Sequence, residues 1–77
     1  MKSLYSKRNQ LLIRLLRESR MEAGITQTKL SEALGRPQSF VSKYENGDRR
    51  LDVVEFLDVC KLLGADPVSM IGLVNKE

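Results

Sequence analysis

Apolar residues recur every three or four positions along most of the chain, with polar and charged residues between them. This spacing is that of one face of an α-helix. Glycines interrupt the pattern at Gly24, Gly35, Gly47 and Gly64, where we expect turns. The pattern therefore predicts an all-α fold of five helices, at about residues 6–23, 26–34, 37–46, 52–63 and 66–74.

The first predicted helix carries apolar residues on two sides. One arc, which we expect to face the core, holds Leu12, Ile13, Leu16, Arg20 and Ala23. A second stripe lies about 130° away on the helical wheel and holds Leu4, Leu11 and Leu15. The fifth predicted helix is also apolar along most of its length. The second stripe therefore packs either against that helix or against a second copy of the chain.

The same pattern predicts the caps and the inward residues of the other helices. Thr26 and Asp52 are favourable N-caps, and Asp66 precedes Pro67, which suits a first helical turn. The inward set of the fourth predicted helix is Val53, Phe56, Leu57, Cys60 and Leu63. We interpret the cysteine as a small core residue, because no basic neighbour is implied that would make its thiol reactive.

The third predicted helix has an apolar side formed by Phe40, Val41 and Tyr44. Its opposite arc carries hydrogen-bonding side chains, namely Gln38, Ser39, Ser42, Lys43 and Asn46. Serine and asparagine are mediocre helix formers, and their short side chains let a hydrogen-bonded ligand approach closely. Taken alone, the arc also fits a neutral solvated face. Pro37 fits the first turn of this helix, where its missing N–H costs nothing.

A tight turn at Gly35 and Arg36 joins the second and third predicted helices, which is the layout of a helix-turn-helix. In this layout the second helix of the pair enters the DNA major groove, about 12 Å wide, with its polar side chains aimed at base edges. Donors around it are placed to meet phosphates on either side of the groove. These candidate phosphate-binding residues are Gln27, Asn46, Arg49 and Arg50.

The charges are unevenly distributed along the chain. Residues 1–50 hold 11 Lys or Arg and 5 Asp or Glu, for a net charge of +6, whereas residues 51–77 hold 2 and 5, for a net charge of −3. This polarity suits a protein that presents one surface to a polyanion, although a mixed solvated surface carries similar charges. We interpret one basic set as a solvated face with a long-range attraction for DNA: Lys7, Arg8, Arg14 and Arg17.

The composition excludes several kinds of site. One cysteine and no histidine leave no disulfide scaffold, no Cys/His zinc site and no nucleophile with an imidazole base. Ser39 and Lys43 have the spacing of a catalytic dyad, but a helix face in so short a chain offers no pocket, so we expect neither enzyme activity nor a cofactor. Residues 1–77 are expected to form one domain. No apolar run fits a membrane span or a signal peptide, which indicates a soluble, cytoplasmic protein.

Residues 24–35 (GITQTKLSEALG) and 38–47 (QSFVSKYENG) contain four short motifs at fixed offsets: Thr-Gln, Leu-Gly, Gln-Ser and Glu-Asn-Gly. In these motifs the chain resembles the Cro and lambda-repressor-like (Xre-type) helix-turn-helix family, over about residues 13–74. The resemblance implies a compact five-helix DNA-binding domain with its helix-turn-helix at the second and third helices. It also implies a regulator of transcription that binds operator DNA on the nucleoid, usually as a homodimer, with repression as the expected mode.

The resemblance assigns base-reading positions to four residues of the third helix: Gln38, Ser39, Ser42 and Lys43. Gln38 suits adenine, whose N6 and N7 an amide can bind together, and Lys43 suits either guanine or a phosphate. Three departures from the family pattern concern the start of this helix: Pro37 replaces a Ser or Thr cap, Lys29 a Glu, and Ser31 a common Ala. They leave open whether Gln38 or Ser39 reaches the bases.

Two further roles are implied by the resemblance. Gln27 and Asn46 match positions that contact phosphates, in agreement with the helix-turn-helix layout. Arg20 and Glu45 match a structural salt bridge between the first and third helices. This role explains why an arginine lies on the inward arc of the first helix.

A second class of function also fits the sequence, namely a protein-binding module such as an antitoxin. The acidic back of the chain and its apolar fifth helix would serve a partner protein as well as a second copy of the chain. The two hypotheses differ in stoichiometry, since a homodimer predicts a two-fold symmetric DNA site and a toxin predicts a hetero-complex. No small-molecule ligand and no membrane partner are expected from this sequence.

Overall fold

The computed structural model of the protein describes residues 6–77, which form α-helices and no strand. The predicted all-α, five-helix fold is confirmed, while Leu4 of the second apolar stripe lies outside the described residues. No helix within 6–77 has the length and hydrophobicity needed to cross a bilayer. The helices are α1 (Lys7–Glu22), α2 (Gln27–Ala33), α3 (Phe40–Glu45), α4 (Val53–Leu63) and α5 (Pro67–Asn75).

Local hydrogen bonds determine where most of these helices begin. The side chains of Ser6, Thr26 and Asp66 accept hydrogen bonds from backbone N–H groups in the first turns of α1, α2 and α5. Asp52 does the same for α4, and the Glu55 carboxylate in turn accepts a hydrogen bond from the Asp52 N–H, which completes a capping box. These polar residues fix the boundaries because they satisfy N–H groups that have no partner within the helix.

The core contains residues from every helix. α1 packs against α3, α4 and α5, and α2 packs against α3 and α4. Cys60 is fully buried, and its burial raises the pKa of the thiol above its ordinary value. The thiol is therefore neutral and enclosed, as expected of a core residue. The buried apolar side chains are Leu16, Leu30, Phe40, Val41, Tyr44, Phe56, Val59, Cys60 and Met70.

The second stripe of α1 is covered in part by the chain itself. Leu15 packs against the core, Leu11 is partly buried, and α1 lies along α5. On the inward arc of α1, Leu16 is fully buried, but Ala23 is exposed because it caps the helix end. Packing within one chain therefore accounts for Leu15, so this stripe does not by itself require a second copy.

The inward face of α4 differs from the prediction at three positions. Val53 is 73% exposed and Leu57 is 45% exposed, whereas Val59, which was not predicted, is fully buried. The buried face is set by Phe56, Val59 and Cys60, which lie three or four residues apart, so Val53 and Leu57 turn towards α5 instead. There they border an apolar groove between α1, α4 and α5, lined by Leu12, Leu51, Val53, Phe56, Leu57, Pro67, Val68 and Ile71, with Asp52 at its rim.

The predicted start of α3 is wrong. The sequence predicts a helix over 37–46, but the α-helix begins at Phe40, and Gln38 and Ser39 form a turn before it. Pro37 does not enter the first helical turn; its carbonyl instead accepts a hydrogen bond of 2.9 Å from the Phe40 N–H. The turn is held from outside by Ser31, a contact that no local pattern predicts.

Candidate nucleic-acid interface

Ser31 of α2 holds the beginning of α3. Its side chain is fully buried, and its hydroxyl accepts a hydrogen bond of 3.2 Å from the Val41 N–H and donates one of 3.2 Å to the Gln38 carbonyl. Ser39, at the N-cap position of α3, makes no capping hydrogen bond with its side chain. The residue that we noted only as a departure from the family pattern therefore supplies the missing cap from the preceding helix.

The turn between α2 and α3 is closed by backbone geometry. Gly35 adopts φ = 69°, a left-handed conformation that favours glycine, and the Arg36 N–H donates to the Ser31 carbonyl at 3.0 Å. The chain then reverses, so that α3 crosses over α2 and contacts it. This arrangement is the helix-turn-helix that the sequence predicts.

The turn before α3, the first turn of α3 and the start of α2 form one shallow cleft. Its lining consists of Gln27, Thr28, Gln38, Ser39 and Ser42. The side chains of Gln38 and Ser39 are exposed, and the Ser42 hydroxyl donates a 3.0 Å hydrogen bond to the Ser39 carbonyl. Three of the four predicted base-reading residues thus lie together with one predicted phosphate-binding residue. Sequence reasoning did not name Thr28, although it follows Gln27 at the start of α2.

A buried carboxylate lies beneath the last turn of α3. The Glu45 side chain is 2% exposed, and Arg20 binds it with both Nε and Nη2, at 2.7 and 3.1 Å. Gln27 donates to the same carboxylate at 2.8 Å, and Arg20 also donates to the Ile25 carbonyl at 2.8 Å. The hydrogen bond from Arg20 to Glu45 raises the pKa of that guanidinium further above its ordinary value. The two residues named for a structural salt bridge are therefore in direct contact.

Asn46 lies apart from the polar cleft. It lines a second cleft with Gly47 and with residues of α1, including Arg14 and Arg17. Asn46 is exposed and forms the C-cap of α3. Two members of the basic set that we interpreted as a solvated face thus lie beside a predicted phosphate-binding residue.

Arg49 is engaged with a residue that sequence reasoning missed. Its Nη1 and Nη2 atoms each donate to Glu55, both at 2.8 Å, and Nη1 also donates to the Arg50 carbonyl at 2.9 Å. The Arg50 side chain itself is exposed. Glu55 was noticed neither as a partner of Arg49 nor as the second member of a capping box, although Asp52 three residues before it is the expected signal.

Arg36 joins the same carboxylate. Its Nη2 atom donates to Glu55 Oε2 at 2.7 Å, so the two guanidinium groups meet at one oxygen. They also lie over the Phe40 ring, at 4.8 Å for Arg36 and 5.0 Å for Arg49. The hydrogen bonds from Arg49, with further help from the Asp52 N–H and both positive charges, lower the pKa of the Glu55 carboxyl to about 2 against the opposing effect of burial.

Comparison with known proteins identifies the family. A family model described as a helix-turn-helix domain matches residues 11–70. The structure also resembles that of an XRE-family like protein from Pseudomonas syringae pv. tomato str. DC3000, with 50% sequence identity and a TM-score of 0.86 over 96% of this chain and 90% of that one. This chain belongs to the XRE-type helix-turn-helix family.

A more distant neighbour of this XRE-type domain has the same fold. The wild-type restriction-modification controller protein C.Esp1396I is 21% identical, with a TM-score of 0.79 over 92% of this chain and 93% of that one. A search of curated proteins found no match. The family and the fold therefore rest on the helix-turn-helix model and on the solved structures.

The remaining predicted base-reading residue of the XRE-type domain is Lys43. It is exposed and lies in the last turn of α3, outside the polar cleft that contains Gln38 and Ser39. Within residues 6–77 no three Asp, Glu, Cys or His side chains come together as metal ligands would. The exposed polar surface around α3 is therefore an array of hydrogen-bond donors and acceptors, with charge supplied by arginine and lysine.

Proposed function

We propose that this XRE-type domain binds double-stranded DNA sequence-specifically and regulates transcription, as a repressor. The observation that carries this proposal is the polar cleft, in which Gln38, Ser39 and Ser42 stand together on the outer side of a helix-turn-helix. Side chains of this kind pair with base edges when the second helix of the motif enters a major groove. Family membership supports the same activity, because the fold presents this helix to DNA.

Phosphate contacts would orient the protein on the duplex. Gln27 donates one N–H of its side-chain amide to Glu45. A side-chain amide has two N–H donors, so the second N–H is available to a phosphate. Asn46 and Arg50 are exposed donors beside α3, and Arg14 and Arg17 add positive charge next to Asn46. Contacts of this kind position a protein without selecting sequence, while the cleft residues supply the selectivity.

We propose that two copies bind together through the apolar groove. Val53 is 73% exposed and Val68 is 78% exposed, and Leu57 and Ile71 are each exposed by nearly half in the same groove. Contiguous apolar surface of this kind marks an interaction site on a small protein. A homodimer would place two copies of α3 on half-sites about one helical turn apart in a two-fold symmetric operator.

The same groove also favours the second candidate, a protein-binding module such as an antitoxin whose main partner is a different protein. Both candidates describe binding without catalysis, because Ser39 lines the shallow polar cleft while Lys43 lies outside it, so no pocket encloses the two. Neither requires a cofactor or a small-molecule ligand. Both candidate functions fit a soluble, cytoplasmic protein that lies on the nucleoid when it is bound to DNA.

Selection of bound duplexes from a random pool at near-physiological salt, with the mass of the complex measured alongside, tests the proposal. We expect an enriched inverted repeat with half-sites about one helical turn apart and two protein chains bound. If only salt-sensitive binding without sequence enrichment remains, the proposal fails, since phosphate attraction alone gives that result. A search for a protein partner would then follow.

Substitution of Gln38 tests the cleft directly. Gln38→Ala is expected to weaken binding to the selected site by about 1–3 kcal/mol and to relax one base position. Asn75→Ala is a matched control, because it removes an exposed amide at the end of α5, away from the cleft. An equal loss of affinity for selected and random duplexes in the Gln38 variant would contradict a base-contacting role.

A further inference from the structure

The group formed by Arg36, Arg49 and Glu55 combines a buried anion with two accessible cations. The Glu55 side chain is 7% exposed, whereas those of Arg36 and Arg49 are 40% and 37% exposed. Two guanidiniums therefore share one buried carboxylate, while the Asp52 carboxylate also acts electrostatically on Arg49. Both guanidiniums lie on the accessible side of the group.

The hydrogen bonds to Glu55 leave donors free for another acceptor. A guanidinium carries five N–H donors. Arg36 makes one hydrogen bond to Glu55, and Arg49 makes two to Glu55 and one to the Arg50 carbonyl. Unused N–H groups on two adjacent, oriented guanidiniums match the oxygens of a phosphate, which arginine binds through paired hydrogen bonds.

Arg36 and Arg49 both lie beside the beginning of α3. Arg36 precedes the turn that contains Gln38, and Arg49 follows the helix, yet both guanidiniums lie over the ring of Phe40, its first residue. Asn46 caps the opposite end of the same helix. A helix in a major groove passes between two phosphate backbones, so donors at both of its ends can contact phosphates.

We propose that Arg36 and Arg49 together bind one backbone phosphate of the DNA, and that Glu55 positions both guanidiniums for this contact. The proposal rests on the proposed function, since it concerns how the same surface binds DNA. Glu55 does not touch the phosphate and acts through the two arginines. Arg36 is the new contact, because sequence reasoning assigned it only to the turn.

Arg36→Gln tests the phosphate contact. The change removes the charge of a side chain that is 40% exposed, and Lys61→Gln removes an equal charge from the last turn of α4. Affinity for the selected site and for a random duplex is measured over a series of salt concentrations. We expect the Arg36 variant to lose affinity for both duplexes alike, on the order of tenfold. Its salt slope should fall by about one unit, and that of the Lys61 variant should not change.

The outcomes separate this inference from the proposed function. If the wild-type protein selects a sequence but Arg36→Gln keeps the full salt slope, the inference is overturned and the proposed function stands. If the slope falls equally in both variants, net charge is the cause, and the inference is again overturned. If the wild-type protein selects no sequence, the proposed function fails first, and the inference fails with it.

Glu55→Gln tests the positioning role. The amide keeps the shape of the side chain but loses the charge that holds two guanidiniums. If Glu55 positions Arg36, the effect of Arg36→Gln on the salt slope should shrink clearly when Glu55→Gln is already present. If that effect is undiminished, Glu55 serves stability only. Circular dichroism sets a temperature at which both variants are folded, and the single Arg36 variant tests the phosphate contact independently.

Discussion

The two ends of α3 are both held by a buried carboxylate, but in different surroundings. At the C-terminal end, Glu45 is 2% exposed and its partner Arg20 is 12% exposed. At the N-terminal end, Glu55 is 7% exposed, but Arg36 and Arg49 keep 40% and 37% of their side-chain surface. The first end is closed and pairs one guanidinium with one carboxylate, whereas the second is open and places two guanidiniums on one buried carboxylate, with Asp52 acting on Arg49 as well. Access of the cations to solvent therefore decides whether an arginine-carboxylate group can serve only the fold or also a ligand.

The largest expected difference between the two ends is in stability. Glu45→Ala leaves the Arg20 charge enclosed, with the Ile25 carbonyl as a remaining acceptor, and should lower the free energy of unfolding by about 3–5 kcal/mol. Glu55→Ala should cost about 2 kcal/mol, because it removes part of the α4 cap while Arg36 and Arg49 return to water. Urea unfolding of both variants measures the two losses.

A surface variant gives the baseline for this comparison. Glu32 is an exposed residue of α2, and Glu32→Ala should change stability by no more than about 0.5 kcal/mol. Equal losses in the Glu45 and Glu55 variants would contradict the contrast between a closed and an open end. In that case the exposure of the arginines would not determine what each carboxylate contributes.

The C-terminal end could be predicted from the sequence, and the N-terminal end could not. Arg20 is out of place on an apolar arc, and its family position indicates Glu45 as partner, which the structure places at 2.7 Å. Arg36 and Arg49 lie in loops, where no periodicity relates them, and their common partner belongs to another helix. The contact of Arg36 and Arg49 with Glu55 depends on tertiary packing, so it can be seen only in a structure.

The boundaries and inward faces of the helices also divide into features that the local sequence predicts and features that depend on tertiary packing. Caps at Thr26, Asp52 and Asp66 depend on neighbouring residues, and the structure has them where the sequence predicts. The start of α3 depends on Ser31 in another helix, so the local pattern placed it too early. Val53 and Leu57 were expected in the core because they are apolar, but in a single chain they line the apolar groove and remain exposed.

A fall in pH tests the N-terminal end of α3, because the pKa of Glu55 is lowered from an ordinary value of 4.5 to about 2. The stability that this group contributes is fully present above about pH 4.5 and is lost as the pH falls towards 2. The loss by pH 2 is about 2–3 kcal/mol, since each pKa unit corresponds to about 1.4 kcal/mol. Glu55→Gln should unfold with a weaker pH dependence in that range, while the wild-type protein loses stability. Parallel curves for the two proteins in urea unfolding at several pH values would contradict this assignment.

Ser31→Ala should affect the N-terminal end without touching either arginine. It leaves the Val41 N–H and the Gln38 carbonyl without their hydrogen bonds to the buried hydroxyl, at a cost of about 1–2 kcal/mol. Because Gln38 lies in the turn that this hydroxyl holds, discrimination between the selected and random duplexes should fall as well. Ser69→Ala is the control for discrimination, because it removes an exposed hydroxyl whose hydrogen bond to Asp66 lies at the start of α5. Unchanged discrimination would separate the cap from the placement of Gln38.

The smallest effect on stability is expected from a buried hydroxyl group at the closed, C-terminal end of α3. Tyr44 precedes Glu45 and is 1% exposed, and its hydroxyl has no hydrogen-bond partner among residues 6–77. Its ring packs edge-on against Phe40 with 5.6 Å between centroids, a contact that phenylalanine would keep. Tyr44→Phe should therefore raise the free energy of unfolding by about 1 kcal/mol and leave DNA affinity unchanged. A loss of stability would mean that the hydroxyl is hydrogen-bonded to enclosed water, and that the closed end holds a polar contact which the comparison of the two carboxylates does not include.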